Sequence, residues 1–466
     1  MSSRASKKSF DWVVATIYGC LLVIGWLMLY ATVYTEDNPM AFIDLSTTIG
    51  KQTVWIGLSL LTFVIVYSVD WKVWYTFSYP LYIITMVLLA GVLVFGTEIK
   101  GARSWYSLGP LSLQPSEFAK FGTALALSSY LSQYKIDIGR RRTLLAAAGI
   151  LLVPIVLVIL QPDAGSALVF LFGLFLLYRK GLSELYYILG FAAIAIFMLS
   201  LMFEPMFVTF GAAVVGLALL IYNQAETYRS LLVFFGVSAV AIVLLMQDLT
   251  IYTWGLLAVT YMAYTYRYFQ DRDLKVPSLT IPAVCLAALF SFGSKYAFDH
   301  GLERHQQDRI NVWLNPEKCD PHGSLYNIIQ SKAAIGSGGL EGKGFLQGNM
   351  TKLNFVPEQT TDFIFSTVGE EQGFIGTLGV IFLFSLLLVR VVIIAERGKN
   401  EFVRNYSYCV AGIIFIHFFV NIGMSVGLMP VIGIPLPFLS KGGSALLGFT
   451  VLIAALLKMD VARHRN

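Results

Sequence analysis

Long apolar runs separated by short polar links fill most of this chain, and a single polar stretch of about sixty residues interrupts them. A helix needs roughly 20 mostly apolar residues to cross the hydrocarbon of a membrane. On that criterion spans fall near 12–34, 53–69, 74–96, 115–133, 143–161, 164–178, 185–202, 205–222, 229–246, 251–267, 278–298, 363–390, 406–428 and 442–459. The softest divisions are 143–161 from 164–178 and 185–202 from 205–222. The pattern predicts an all-α polytopic membrane protein of about 14 transmembrane helices. It reads as a single integral membrane domain over 1–466, in four parts: 1–182, an atypical hydrophobic group 183–298, a polar loop 299–362, and 363–466.

Charge sets the expected orientation. The short links SSRASKK, DWK, YKIDIGRRR, YRKG, RYFQDRDLK, AERGKNEFVR and KMDVARHRN all fall on one side if the count is fourteen. They hold more than half of the 33 lysines and arginines, so that side and both termini are expected in the cytoplasm. The opposite short links MFEPM and MQDLT carry none. The loop 299–362 is then extracytoplasmic. The first apolar run is about twenty residues, longer than the core of a cleaved signal, and is expected to stay as the first helix.

Composition agrees with a membrane protein: 57% of residues are hydrophobic and 13% charged, against about 25% charged in soluble domains. The net charge of +5 sits in the short links, which excludes a nucleic-acid-binding surface. Cys20, Cys285 and Cys409 lie in apolar runs and Cys319 is alone in the loop, a usage that predicts neither a disulfide framework nor a zinc site.

Candidate chemistry gathers at the links expected outside. Residues 97–122 carry Lys100 and Arg103, then Gln114-Pro115-Ser116 opening a helix on which Glu117 and Lys120 face each other three residues apart. The pair either neutralises itself at the membrane edge or holds a cation toward an anionic lipid head group. Asp163 either caps the next helix or lines the same cavity. In the loop, GSGGLEGKG misses the nucleotide-binding GxxxxGK[ST] pattern at Ser337 and Gly344, so no nucleotide is expected. Its amides suit an anion-binding nest, with Lys332 and Lys343 as counter-charges. Thr360 or Thr361 is expected to cap a helix starting near 361–363, with Glu370 and Glu371 inside it, facing a hydrated cavity. Residues 421–449 have three prolines and several glycines in apolar sequence, which suits broken backbone lining a cavity.

With KGARSW, QPSEFAK, QPDAGSA, DPHGSLYNIIQSKAAIGSGGLEGKG, FVPEQTTDFIFSTVGEEQG and NIGMSVGLMPVIGIPLPFLSKGGSA in order, the chain resembles the SEDS family of cell-wall proteins, the group of RodA and FtsW. NIGM and the DWVV start are closer to RodA. The resemblance implies an inverting peptidoglycan glycosyltransferase that polymerises lipid II at the outer face of the bacterial cytoplasmic membrane, for cell elongation and shape. It implies a class B penicillin-binding protein as transpeptidase partner, together with other membrane proteins of the elongation complex. It implies a core of about ten spans with the group near 183–298 inserted. Two positions depart from the family pattern: Ser104 separates Arg103 from Trp105, and Lys441 stands where a tyrosine often precedes GGS.

The residue implied for catalysis is Asp320, in the turn context NPEKCDPHG. Lys120, Glu117, Arg103, Lys332, Lys343, Asp163, Arg309, Glu358, Asp362 and Glu370 are the candidates for binding substrate. The departing diphosphate calls for positive charge or for Mg²⁺ or Mn²⁺ on oxygen ligands. The competing reading is a flippase for the lipid-linked precursor. It is weakened because no internal repeat is visible and the polar residues gather on one side. A division polymerase of the FtsW kind is the nearer alternative.

Overall fold

The computed structural model describes residues 10–34, 44, 46–99, 101–108, 111–134, 136–222, 227–270, 275–319 and 323–462. The chain forms two compact units, one of residues 1–183 with 319–466, the other of residues 184–318.

The first unit opens with α1 (Trp12–Val33), α2 (Thr48–Ser68), α3 (Trp71–Thr76) and α4 (Ser78–Phe95). Side-chain caps explain several starts: Asp11 accepts from Val14 N, Thr47 from Gly50 N and Asp70 from Lys72 N. Three short antiparallel strands follow: β1 (Thr97–Ile99), β2 (Ala102–Leu108) and β3 (Leu111–Leu113). This sheet is a departure from the purely helical expectation. Gly101, at φ +80°, makes the turn, and Glu98 pairs across the strands with Arg103. Then come α5 (Pro115–Leu131), α6 (Arg141–Ile159), α7 (Ala164–Val169) and α8 (Phe172–Arg179). Pro115 occupies the first turn of α5, where its missing N–H costs nothing.

The second unit holds α9 (Glu184–Met202), α10 (Pro205–Tyr222), α11 (Thr227–Met246), α12 (Thr250–Gln270), α13 (Lys275–Gly301) and α14 (Arg304–Leu314), then a 3₁₀ turn at Pro316–Lys318. Its core packs Ala213, Leu217 and Ile221 of α10 against Leu257 and Tyr264 of α12. Polar groups join helices across that apolar interior. Tyr261 and Tyr268 donate to the Ala213 and Leu220 carbonyls at 2.6 and 2.7 Å, and Ser200 meets Ser291 at 2.7 Å. Gln307 donates to the Phe298 and Leu302 carbonyls, satisfying the end of α13.

The chain returns to the first unit as α15 (Ser324–Ser337), α16 (Asn349–Lys352), α17 (Ile364–Arg397), α18 (Glu401–Ser425) and α19 (Gly443–Ala462). The stretch 299–362 is therefore not one loop. The end of α13, the helices α14 to α16 and the 3₁₀ turn occupy much of it, and the division between the units falls inside it.

Among the described residues ten helices are long and apolar enough to span a membrane: α1, α2, α4, α6, α9, α10, α13, α17, α18 and α19. This makes the protein a multi-span membrane protein, and the count of fourteen is not confirmed. The other predicted runs are helical but fall short for different reasons. The α5 helix has 17 residues and buries Glu117 and Lys120. Residues 164–179 divide into α7 and α8. The apolar part of α11 is only Leu231–Met246, and α12 is rich in Thr and Tyr.

Candidate active site

Between α18 and α19 the backbone of residues 426–442 is irregular. It is fastened from every side within the first unit. Asn421 donates to the Ile434 carbonyl at 2.8 Å, and His417 Nδ1 lies 3.0 Å from the Pro435 carbonyl. Lys441 N donates to the Thr360 carbonyl at 2.8 Å, and Gly442 N to Gln52. Gly25 of α1 and Gly165 of α7 allow the strap to pass close: a Cβ at Gly25 would meet the Phe438 carbonyl at 2.6 Å, and one at Gly165 the Ile432 carbonyl at 2.9 Å. Polar backbone away from water needs such partners, which is why this segment is enclosed by protein.

Beneath the strap lies a buried polar cluster. The α5 helix contributes Glu117 and Lys120, 2% and 1% exposed, and α18 contributes His417 at 1%. The Lys120 ammonium is 2.7 Å from Glu117 Oε2 and 3.0 Å from His417 Nε2, and lies over the Phe449 ring. A carbonyl can only accept, so His417 Nδ1 carries the proton toward Pro435. Nε2 then has the lone pair that accepts from Lys120. The expected Glu117–Lys120 pair is present and is buried. His417 was not among the sequence candidates: a lone histidine in an apolar run carries no spacing signal.

Asp163 caps α7, with Oδ1 accepting from Ser166 N at 3.0 Å and Oδ2 from Ser166 Oγ at 2.7 Å. Gln114 Nε2 also donates to Oδ2, at 2.9 Å, so the QPSEFAK and QPDAGSA segments meet here.

Glu370 is fully buried and occupied by its own chain. Its Oε1 accepts from Lys343 Nζ at 2.6 Å and from Met350 N at 2.9 Å; Oε2 accepts from Thr351 N and Thr351 Oγ1. Glu371 is equally buried, with Oε2 accepting from Leu346 N. Around Glu370 the Lys343–Thr351 segment supplies the partners expected of a hydrated cavity, whereas Glu371 Oε1 is buried without a hydrogen-bond partner. The glycine amides do not form an open anion nest. Lys343 N and Gly344 N donate to the Glu370 and Glu371 carbonyls, both at 3.0 Å, and Gly342 N donates to Gly338 O. Gly373, at φ +62° and ψ −159°, kinks α17 so that Phe374 N and Ile375 N reach the Gly339 and Leu340 carbonyls. Thr361 donates to Glu358 instead of capping α17, which starts at Ile364.

The remaining candidates are more open. Arg103 is exposed on β2, with Nη1 3.4 Å from the Leu93 carbonyl. Lys332 is exposed on α15 beside Gly427 of the strap, and Asp362 approaches Gly433 of the strap. Glu358 is exposed in the turn before α17, and Arg309 is exposed on α14 of the second unit. Asp320 lies outside the described residues. Among the described residues no group of three or more His, Cys, Asp or Glu side chains is placed to hold Mg²⁺ or Mn²⁺.

Residues 11–210 and 202–465 match the family model described as cell cycle protein FtsW/RodA/SpoVE. The chain is 31% identical to the peptidoglycan glycosyltransferase MrdB of Escherichia coli K12, across 100% of this chain and 98% of that one. It is 31% identical to the peptidoglycan glycosyltransferase RodA of Treponema pallidum, across 97% of each. Among solved structures, a chain from a peptidoglycan synthase complex in which polymerization and crosslinking are coordinated aligns with TM-score 0.61 and 26% identity, covering 98% of this chain and 99% of that one. RodA of Thermus thermophilus, at 24% identity and TM-score 0.57 over 98% and 99%, shares the fold. Matched from end to end by the family model and by relatives at 31% identity, the chain belongs to the FtsW/RodA/SpoVE family of cell cycle proteins.

Proposed function

We propose that this chain is a peptidoglycan glycosyltransferase that joins the disaccharide units of lipid II at the outer face of the bacterial cytoplasmic membrane, in cell elongation. The observation that carries the reading is the full-length match to enzymes of that name. In support, segments that carry the sequence resemblance, QPSEFAK, QPDAGSA, TTDF and the NIGM-to-KGGSA run, adjoin one another around the strap 426–442. The RodA name of one relative at 31% identity favours elongation over division.

In this reading a sugar hydroxyl of one substrate attacks the anomeric carbon of another. The new glycosidic bond forms as the bond to the lipid diphosphate breaks. Asp320 takes the proton from the attacking hydroxyl. Arg103 and Lys332, two substrate candidates exposed in the first unit, serve the diphosphate, because the Lys120 ammonium is committed to Glu117 and His417. Among the described residues no group of three or more His, Cys, Asp or Glu side chains is gathered to hold a divalent cation, and no step is routed through one. A class B penicillin-binding protein supplies the cross-linking transpeptidase, within a complex of elongation membrane proteins, and both termini face the cytoplasm.

The test is to supply purified protein with lipid II and to measure glycan strands and lipid flipping separately. Strands without flipping support the proposal. Flipping without strands would replace it with the transporter reading.

A further inference from the structure

We propose that His417 is a positioning residue for the reaction: it rivets the Ile434–Leu436 backbone of the strap to the buried Glu117–Lys120 pair. The inference rests on the glycosyltransferase reading above and goes beyond it by assigning work to a residue outside its candidate set.

The candidate groups Asp362 and Lys332 approach Gly433 and Gly427 of the strap, and Thr360 accepts from Lys441 N. His417 and Asn421 of α18 hold the Pro435 and Ile434 carbonyls, and Asn421 also donates to the Asp362 carbonyl at 2.9 Å. A substrate held by the candidate groups therefore takes its position from a strap that α18 anchors. His417 joins the two, because its ring nitrogens lie 3.0 Å from the Pro435 carbonyl and 3.0 Å from the Lys120 ammonium. Phe449 packs edge-on against the imidazole and beneath the ammonium, which shields the buried Lys120–His417 bond from water.

Direction matters in this chain of bonds. Glu117 holds the ammonium, the ammonium donates to Nε2, and Nδ1–H donates to the carbonyl. Each link polarises the next in the same sense, so losing the imidazole leaves an ammonium and a carbonyl each short of a partner. The strap also carries Phe438 at φ +66°, a conformation a non-glycine residue keeps only when its surroundings impose it. Freeing Pro435, three residues away, lets that conformation relax and moves the floor of the site. Misplacement by about 1 Å costs on the order of a hundredfold in rate.

The experiment compares purified His417→Leu, His417→Gln, Lys120→Met and the Leu/Met double variant in lipid II polymerisation, with thermal unfolding of each alongside. His417→Leu is expected to lower turnover by about ten- to a hundredfold. His417→Gln, whose amide donates to Pro435 and whose oxygen accepts from Lys120, restores most of it. In the double variant the two losses do not add, because either substitution alone breaks the rivet. His417→Asn, too short to reach both partners, takes the place of the leucine variant should that one fail to fold. Wild-type turnover in His417→Leu, a glutamine variant as impaired as leucine, or fully additive losses would each overturn the proposal. Absence of polymer from the wild-type protein would instead count against the glycosyltransferase reading.

Discussion

Lys343 places its ammonium 2.6 Å from Glu370 Oε1 and so ties the glycine-rich segment to α17. Both residues are substrate candidates on sequence grounds, yet each is occupied by the other. Two backbone amides and the Thr351 hydroxyl complete the set around Glu370. Removing a buried carboxylate leaves these donors unpaired, a loss of about 3–5 kcal/mol. Glu370→Ala is therefore expected to lower the unfolding temperature in detergent substantially. An unchanged unfolding temperature together with lost polymerisation would mean that Glu370 meets the substrate after all.

For Asp320 the expected signature is the opposite. Asp320→Asn keeps the shape of the side chain and removes the carboxylate proposed as the base. Turnover should fall by about 10²–10⁴-fold, equivalent to about 3–5.5 kcal/mol of transition-state stabilisation. Unfolding temperature and lipid II binding should stay near wild type. Near-normal polymerisation by the purified variant would remove Asp320 from the role.

Asp11 provides a pH-dependent contact. Burial pushes its carboxyl up, but hydrogen bonds from Arg390 and Arg397, helped by Val14 N, outweigh this and hold it below its ordinary value of 3.8. With the folded value below the unfolded one, its contribution is full above the unfolded value and is lost as pH falls through the folded one. The unfolding temperatures of wild type and Asp11→Asn should differ at pH 7 and converge as pH drops below about 4. A gap that stays constant into strong acid would exclude the linkage.

Membrane orientation can be read by thiol labelling, though not at Cys319, which is only 8% exposed. Leu353, 67% exposed, and Tyr134, 89% exposed, are better reporters. In a background without the four native cysteines, an impermeant reagent on spheroplasts should label Leu353→Cys. Tyr134→Cys should react only after the membrane is permeabilised. The reverse pattern would invert the topology.

The sequence by itself determined the membrane class, the positions of the apolar helices, the first turn at Pro115 and the capping alternative at Asp163. Each depends on neighbours within a few residues, through apolar run length or a side chain that reaches its own backbone. The motif strings also carried the family without a structure. Tertiary structure alone decided which acids are spent. Glu370 meets a lysine 27 residues away, and Lys120 a histidine 297 residues away. Nothing in local periodicity says which segments pack, so it could not show that the chain's own amides meet Glu370. Helix burial followed the same rule. Charged α5 lies in the interior because Glu117 neutralises Lys120 within the helix and His417 of α18 accepts from the same ammonium, and only the second of these is a fact about a neighbouring helix.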